Sequence, residues 1–322
     1  MADASHQLLP ARRPAAPSWA VLRPLLGQWR RYWLRDPLLG FLNLGLTRGL
    51  RQLPLDWISA IGGFLGVANQ RYRFRAQGER AQRAYLKLSP AGASAREAEQ
   101  AVTRLYDHVG RSMLEFSVLD CLWPEGRIAV AGAEHLLAAR NAGQPVIVMG
   151  LHLGNWETIG PSMMGLGIAF HAIYQPQRNR FDDRIARRAR ERYGAILLRP
   201  GIAATRAAHR HLAKARGVLL IYGDDERRGY VNAPLFGREV RPRANILNIV
   251  RFAWASDAVV IPAYALRLQG ARFRVTYLPP VALAPPGDNH AAALHENVER
   301  LDRVITPVVR AHLDQWYMLL DY

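Results

Sequence analysis

The sequence is poor in cysteine, in lysine and in acidic residues. Its 322 residues include one cysteine, Cys121, which excludes an intrachain disulfide and a metal site built from several cysteines. Of the 43 basic residues, only Lys87 and Lys214 are lysine, and the 26 acids leave a formal charge of +17. A surface this cationic attracts nucleic acid, anionic lipid head groups or an acidic protein, and charge alone does not choose between them.

Several motifs that mark a known chemistry are also missing. The chain has no phosphate-binding loop ending in Gly-Lys-Ser/Thr, no Gly-x-Gly-x-x-Gly after a strand, no Gly-x-Ser-x-Gly and no His-Glu-x-x-His. These absences argue against nucleotide hydrolysis, dinucleotide redox chemistry, serine hydrolysis and zinc proteolysis. If the protein is an enzyme, we expect chemistry that needs a base and neither a cofactor nor a metal.

The first residues resemble neither a folded domain nor a targeting signal. Residues 1–17 contain three prolines and few large apolar side chains, so we expect a disordered lead-in. Their arginines are followed by prolines rather than by an apolar core, which does not fit a secretory signal peptide.

Residues 18–70 are predicted to form a helical segment associated with a membrane. Aromatic residues alternate with arginines between residues 19 and 35, which is typical of a segment at a membrane surface. Two helices are expected next, Leu38 to Leu53 and Leu55 to Ala68, each shorter than the roughly 18 to 20 apolar residues that a clean span needs. The alternatives are two ordinary core helices, or a tilted span in which Arg48 reaches the head groups.

Beyond residue 70, helical patterns alternate with short apolar runs. Strands are predicted at residues 128–131, 145–149, 168–174, 195–198, 218–222, 258–266 and 272–278. Helices are expected between most of them, and Ser94 with Glu97 forms a capping box at the start of one earlier helix. This order predicts an α/β fold over residues 71–322, with a mixed, largely parallel central sheet flanked by helices.

One of these strands ends at a histidine. The apolar run leads to His152, and a turn permitted by Gly154 separates that residue from Glu157. Ligands bind at the carboxyl ends of strands in open α/β sheets, so His152 can serve as a general base while Glu157 holds its ring in one tautomer. The spacing alone is weak evidence, because chance supplies such a pair about once in a chain with ten histidines. A structural histidine is the alternative.

Charged residues follow two further strands. The loop after Tyr174 leads into an arginine-rich helix, whose cations either bind phosphates or face water. The strand at 218–222 is followed by Asp224, Asp225 and Glu226, which can bind a cation, pair with the next two arginines or position a substrate. No further ligand cluster accompanies these acids, which disfavours metal binding.

The segment from His152 to Glu157 resembles the His-x4-Asp/Glu signature of the bacterial lipid A biosynthesis acyltransferases, the lauroyl/myristoyl transferase branch of the lysophospholipid acyltransferase superfamily. Further similarities follow in the family's order at Val130 to Leu136, Tyr174 to Asp182, Asp225-Glu226, Leu235-Phe236-Gly237, Val260-Ile261-Pro262 and Leu313 to Trp316. The likeness covers the chain from about Leu38, and the ordered set is more specific than the first motif alone. Two segments depart from it, Arg241 to Asn245 and the residues after Trp316.

The resemblance implies a glycerolphosphate acyltransferase-like fold and an O-acyltransferase. The enzyme would move a fatty acyl chain from a thioester of acyl carrier protein or coenzyme A to a hydroxyl of a membrane glycolipid such as a lipid A precursor. His152 and Glu157 would be the catalytic pair, without a cofactor or metal. The candidate substrate-binding residues are Asn155, Trp156, Arg178, Asn179, Arg180 and Asp225. Arg178 or Arg180 would stabilise the oxyanion.

The same resemblance implies a location and leaves alternatives open. An anionic membrane surface would be a partner, and the enzyme would act at the cytoplasmic face of the cell inner membrane. Another acceptor, such as a lysophospholipid, an acylated mannoside or an aminolipid, is one alternative, and an inactive member of the fold is another. A basic membrane-binding or nucleic-acid-binding protein without chemistry is disfavoured, because no helix-turn-helix or aromatic platform for single strands is evident.

Overall fold

The computed structural model describes residues 22–89 and 92–322, so the lead-in expected at residues 1–17 lies outside the described residues. The helices are α1 (Leu22–Arg30), α2 (Asp36–Leu50), α3 (Leu55–Tyr72), α4 (Arg75–Leu88), α5 (Ala95–Glu115), α6 (Leu119–Leu122), α7 (Ala133–Asn141), α8 (Ile159–Gly165), α9 (Arg180–Arg192), α10 (Ile202–Ala213), α11 (Asn245–Ser256) and α12 (His290–Ala311). The strands are β1 (Ile128–Ala131), β2 (Val146–Gly150), β3 (Phe170–Ile173), β4 (Ile196–Leu198), β5 (Val218–Tyr222), β6 (Val259–Gln269) and β7 (Arg272–Tyr277). A π-helical segment, Arg31–Arg35, joins α1 to α2.

The strands of the described residues form one seven-stranded sheet in the order β1-β7-β6-β2-β5-β3-β4. Strands β6, β2, β5, β3 and β4 are parallel, whereas β7 runs antiparallel to β6 and parallel to β1. The predicted mixed, largely parallel sheet is therefore confirmed. Strands β2 and β5 are central neighbours, and Gly150 pairs with Tyr222 where both strands end.

Both faces of the central strand are covered by helices. Every residue of β2 is buried. Because side chains alternate along a strand, Ile147 and Met149 pack with α4, α5, α11 and α12, whereas Val146 and Val148 pack with α7 and α8 on the opposite face. The end of β2, where the candidate histidine lies, is thus held by two apolar layers.

The local signals in the sequence locate several helices well. The capping box is present, since Glu97 N donates to Ser94 Oγ at 3.2 Å and Ser94 N donates to a Glu97 carboxylate oxygen at 2.7 Å. The two helices expected between residues 38 and 68 are present as α2 and α3. The first begins two residues earlier than predicted, and the second continues to Tyr72.

Helix α3 packs against α5 through glycines. Gly62 and Gly66 of α3 face Gly110 of α5. A Cβ at Gly66 would overlap the Tyr106 carbonyl, and a Cβ at Gly110 would overlap the Gly62 carbonyl. The two backbones therefore approach more closely than larger side chains would permit.

The outer faces of α2, α3 and the π-helical segment are apolar. Their exposed large side chains include Leu34, Leu38, Leu39, Phe41, Leu42, Leu46, Trp57, Ile61, Phe64 and Leu65. Exposed apolar side chains concentrated on neighbouring helices mark an interaction site more often than scattered single residues do. Across the described part of the chain, no helix has both the length and the apolar character needed to cross a bilayer. The membrane association of residues 18–70 and the division of the chain at residue 70 stay predictions.

The glycine contact yields a test of the packing between α3 and α5. We expect Gly110→Ala to destabilise the protein by about 1–3 kcal/mol, because the new methyl group would overlap the backbone of α3. Gly45→Ala in α2 is the control, since a Cβ there has no neighbour within 4 Å and alanine favours a helix by about 1 kcal/mol. Urea unfolding followed by tryptophan fluorescence measures both. Equal stability of the two variants would contradict the close approach.

Candidate functional site

Two side chains meet where β2 and β5 end. Each follows its strand by two residues, since His152 comes after Gly150 and Asp224 comes after Tyr222. His152 Nδ1 lies 2.9 Å from Asp224 Oδ1, and the His152 backbone N–H donates to Asp224 Oδ2 at 2.8 Å. The register of two parallel strands therefore brings an imidazole and a carboxylate into contact at the carboxyl edge of the sheet.

The Asp224 carboxylate is completely buried and accepts a third hydrogen bond, from Trp316 Nε1 at 3.0 Å. A buried carboxylate requires such donors to offset its lost hydration. Because the carboxylate accepts from Nδ1–H, the neutral ring of His152 carries a lone pair on Nε2. None of the described residues hydrogen-bonds to that nitrogen, and the side chain is 18% exposed. The ring is thus arranged to accept a proton from a bound molecule.

Aromatic rings surround the histidine. The centroids of Tyr222, Trp156 and Tyr317 lie 4.4, 5.3 and 6.4 Å from that of His152. The Tyr222 hydroxyl donates to the Trp156 carbonyl at 2.9 Å, and burial raises the pKa of Tyr222 well above its usual value. That hydroxyl therefore stays protonated and holds the Tyr222 ring against the Trp156 backbone. We call the rings of Tyr222, Trp156 and Tyr317 the aromatic wall of the site.

Glu157 contacts a different partner from the one expected. Both of its carboxylate oxygens accept from Arg190 of α9, at 2.6 Å from Nη2 and 2.9 Å from Nε. Burial lowers the pKa of the Arg190 guanidinium, but the Glu157 carboxylate raises it by more, so the guanidinium stays charged. The expectation that Glu157 orients the His152 ring is therefore corrected. The 3₁₀ turn at Trp156–Thr158 directs its side chain toward α9, and Asp224 contacts the ring instead.

A buried ionic cluster holds the turn that follows the histidine. Arg267 of β6 donates to both oxygens of Glu115, the last residue of α5, at 2.6 and 2.8 Å. The two side chains are 3% and 0% exposed. Asn155 Nδ2 donates to Glu115 Oε2 at 2.8 Å, and the Gly154 N–H donates to the Gln315 carbonyl at 2.9 Å. The turn is thus fixed from three separate parts of the chain.

Gly154 allows the chain to make this turn. Its φ of +56° lies in the left-handed region that favours glycine. A Cβ at this position would lie 2.6 Å from the Ala265 carbonyl oxygen. The prediction that Gly154 permits a tight turn here is confirmed.

Three of the predicted substrate-binding residues lie near the histidine in sequence or space, but in different roles. Trp156 lines the wall of the site. Asn155 is completely buried, and its amide bonds to Glu115, away from the space over the imidazole. Asp225 accepts from the Asn245 backbone N–H at 3.0 Å and pairs with Arg227 at 2.6 Å, so it holds the start of α11.

Of the other three predicted residues, two contact the N-terminal helical segment and one is exposed. Asn179 caps the first turn of α9 and donates to the Asp36 carbonyl at 3.3 Å. The Arg180 guanidinium stacks 3.8 Å from the Tyr32 ring centroid and donates to the Tyr32 carbonyl at 3.0 Å. Arg178 is exposed in the loop before α9. The structure therefore does not bring Asn179 and Arg180 to the histidine.

Several residues of the site were missed by reasoning from the sequence. Asp224 carried a usable signal, because it follows β5 by the same two residues that separate His152 from β2. Trp316 stood out only as part of the similarity at Leu313 to Trp316, and Arg190 and Glu115 carried no signal, since their partners lie far away in sequence.

No grouping of three or more His, Cys, Asp or Glu side chains suited to a metal ion occurs in residues 22–89 and 92–322. The contact between His152 and the buried Asp224 carboxylate is an arrangement that supports proton transfer by the imidazole.

A largely parallel sheet that carries a histidine and its buried carboxylate at the carboxyl edge defines an α/β protein with a candidate general base where such sheets bind ligands. The chain belongs to the bacterial lipid A biosynthesis acyltransferase family, whose model matches residues 28–321. A comparison with curated proteins found no match. Membership confirms the family that the sequence resembles, and it implies an acyltransferase with an acyl donor and a lipid acceptor.

The ionic cluster gives a test of how the site is supported. We expect Arg267→Met to cost about 3–5 kcal/mol, because Glu115 would be left buried without its partner. The double variant Glu115→Leu with Arg267→Met should recover much of that loss. Arg104→Met is the control, since its ion pair with Asp314 is exposed and contributes less than about 1 kcal/mol. Urea denaturation measures all three, and a loss at Arg267 no greater than at Arg104 would contradict the cluster's role.

Proposed function

We propose that the protein transfers a fatty acyl chain from an acyl-carrier thioester to a hydroxyl of a membrane glycolipid such as a lipid A precursor. The observation that carries this proposal is the contact of His152 Nδ1 with the buried Asp224 carboxylate, which leaves Nε2 as a proton acceptor inside an aromatic wall. The family match supports the class of reaction.

In the proposed reaction, His152 Nε2 takes the proton of the acceptor hydroxyl as its oxygen attacks the thioester carbonyl. The Asp224 carboxylate stabilises the imidazolium that forms. When the tetrahedral intermediate collapses, the carbon–sulfur bond breaks and the imidazolium returns the proton to the departing thiolate. An ester and a free thiol result, so the histidine ends in its starting state.

The roles of the neighbouring residues follow from their contacts. Glu157 acts as a positioning residue, because its ion pair with Arg190 ties the turn after the histidine to α9. Arg180 is engaged with Tyr32, so Arg178 is the arginine that we assign to the oxyanion, together with backbone N–H groups. Trp156 contacts the substrate as part of the wall.

The proposed place of action is the cytoplasmic face of the cell inner membrane. The exposed apolar faces of α2 and α3 would enter the boundary between head groups and acyl chains. Exposed arginines on these helices and on the π-helical segment, Arg48, Arg71 and Arg35, would pair with anionic head groups. The acceptor lipid would then reach the histidine without leaving the membrane surface.

The catalytic assignment predicts a steep loss of activity in two variants. His152→Ala and Asp224→Asn should each lower acyl transfer by about 10²- to 10⁴-fold. The first removes the base, and the second removes the carboxylate that keeps the proton of the His152 ring on Nδ1. Mass spectrometry of the lipids formed from acyl carrier protein and coenzyme A thioesters measures this. The acceptor panel should include a lipid A precursor, a lysophospholipid, an acylated mannoside and an aminolipid.

His209→Ala is the matched control, because His209 is exposed on α10 and should retain full activity. Circular dichroism establishes that each variant is folded. Turnover above a few per cent of wild type in folded His152→Ala would disprove the proposed base. If the wild type acylates another acceptor of the panel and not the lipid A precursor, the proposed glycolipid acceptor is wrong.

The membrane assignment predicts that three polar substitutions release the protein from lipid. We expect Leu38→Ser, Leu42→Ser and Phe64→Ser together to weaken binding to anionic vesicles by at least about tenfold, because these side chains are 62%, 61% and 74% exposed on the apolar face. Sedimentation with vesicles measures the bound fraction.

The matched control carries serine at three exposed apolar positions outside these helices: Ile196, Ile202 and Leu268, which are 50%, 72% and 51% exposed. Its binding should equal that of the wild type. If the two triple variants sediment alike, the apolar face of α2 and α3 is not the membrane-binding surface.

A further inference from the structure

Cations and aromatic rings alternate on the surface next to the candidate site. The Arg238 guanidinium lies 4.2 Å from the Tyr322 ring centroid and 4.7 Å from that of Tyr230. Arg241 lies 3.6 Å from the same Tyr230 ring, and the Lys87 ammonium lies 5.8 Å from Tyr322. Segments far apart in sequence thus build one stack of charges and rings.

Phe236 joins a fourth cation to this stack and connects it to the site. Arg310 lies 5.6 Å from the Phe236 ring centroid, and that ring meets Tyr322 and Trp316 edge-on, each at 5.8 Å. The Trp316 indole in turn donates to Asp224. We call Lys87, Arg238, Arg241 and Arg310, with their rings, the ring–cation cluster. A single indole separates it from the carboxylate that holds the histidine.

The cluster has a fixed centre and exposed cations. Arg238 donates to the carbonyls of Val231, Leu235 and Pro234 at 3.0, 3.0 and 3.3 Å, which holds its guanidinium in place. Lys87, Arg241 and Arg310 are exposed on the surface around it.

One half-buried carboxylate, Asp302, faces Arg238 and Arg310. Burial raises the pKa of this carboxyl group, although the Leu235 N–H, at 2.6 Å, and the two arginines act to lower it. Asp302 offsets at most one of the four positive charges. The exposed cations Lys87, Arg241 and Arg310 are the groups of the cluster that can bind an anion.

We propose that the ring–cation cluster binds the phosphate of a phosphopantetheine thioester, the group that acyl carrier protein and coenzyme A donors share. The inference rests on the proposed function, because it assigns the donor's position at the same site. Guanidinium and ammonium groups bind phosphate through charge-assisted hydrogen bonds, and the rings offer apolar contact to the pantetheine arm. The thioester at the other end of the arm then reaches the histidine.

The position of the cluster favours the donor's phosphate over that of a membrane lipid. Helix α4 begins just after Phe74, close to the apolar helices, and Lys87 lies thirteen residues farther along. At 1.5 Å per residue, the two positions are about 20 Å apart. A phosphate bound beside Lys87 would therefore lie well away from the start of α4, where the apolar helix α3 ends.

The test compares two thioesters that differ by one phosphate, acyl-4′-phosphopantetheine and acyl-pantetheine. The wild type should use the phosphorylated thioester with the higher kcat/KM. In the triple variant Lys87→Gln, Arg241→Gln and Arg310→Gln, we expect this preference to fall about tenfold or more. Turnover of acyl-pantetheine should change less than about twofold, because the histidine and its carboxylate are untouched. Arg238 stays in place because it holds its loop.

The matched control removes three exposed arginines elsewhere through Arg206→Gln, Arg272→Gln and Arg274→Gln, and it should keep the preference of the wild type. An equal loss on both thioesters, or no loss on either, would overturn the phosphate site. So would loss of binding to anionic vesicles with the donor preference unchanged, since the cluster would then contact head groups. Parallel assays with acyl carrier protein and coenzyme A thioesters show which donor depends on the cluster.

A binding measurement keeps this inference separate from the proposed function. Calorimetry with phosphopantetheine and pantetheine, neither of which carries an acyl group, should show a phosphate-dependent gain in affinity in the wild type and the control. The triple variant should lose that gain. If this result holds and no thioester is turned over by the wild type, the proposed function fails and the phosphate site stands. If the wild type transfers acyl groups but shows no phosphate-dependent gain in affinity, the proposed function stands and the phosphate site fails.

Discussion

The buried Asp224 carboxylate is the group on which the rest of the site depends. A charge with no solvent contact must be satisfied by the protein, and its donors come from the histidine backbone, the histidine ring and Trp316. The first two belong to the turn after β2, and the third lies close to the end of the chain. One carboxylate thus joins two central strands to the segment that follows α12. The orientation of the His152 ring is a consequence of that arrangement.

A second set of contacts links the outer helices to the site. Asn43 of α2 donates to Asp182 of α9 at 2.8 Å, and the Phe181 ring packs against Gly40 so closely that a Cβ there would overlap it. The same helix α9 carries Arg190 at its other end, where it holds Glu157. The helices that we propose to lie on the membrane are therefore in direct contact with the helix that supports the turn after His152. A direct connection of this kind suits an acyltransferase whose acceptor is a lipid.

Local patterns explain why part of the structure could be predicted from the sequence. The capping box at Ser94, the apolar run of β2 and the glycine turn at Gly154 each depend on residues close together in the chain, and the structure confirms all three. The parallel sheet followed from the alternation of such elements. The contact between Glu157 and His152 failed as a prediction because it relied on proximity in sequence. The turn sends the two side chains in different directions.

The sequence by itself determined the strands, the order of the elements, the histidine at a strand end and the family to which the chain belongs. Only the tertiary structure decided which carboxylate contacts the histidine, because that choice depends on the register between β2 and β5. It also decided that Glu115 pairs with Arg267 and that Lys87 and Arg238, which are far apart in sequence, both lie against Tyr322. Buried charges find their partners across the fold, where desolvation makes each unpaired group costly, and spacing along the chain carries no record of that requirement.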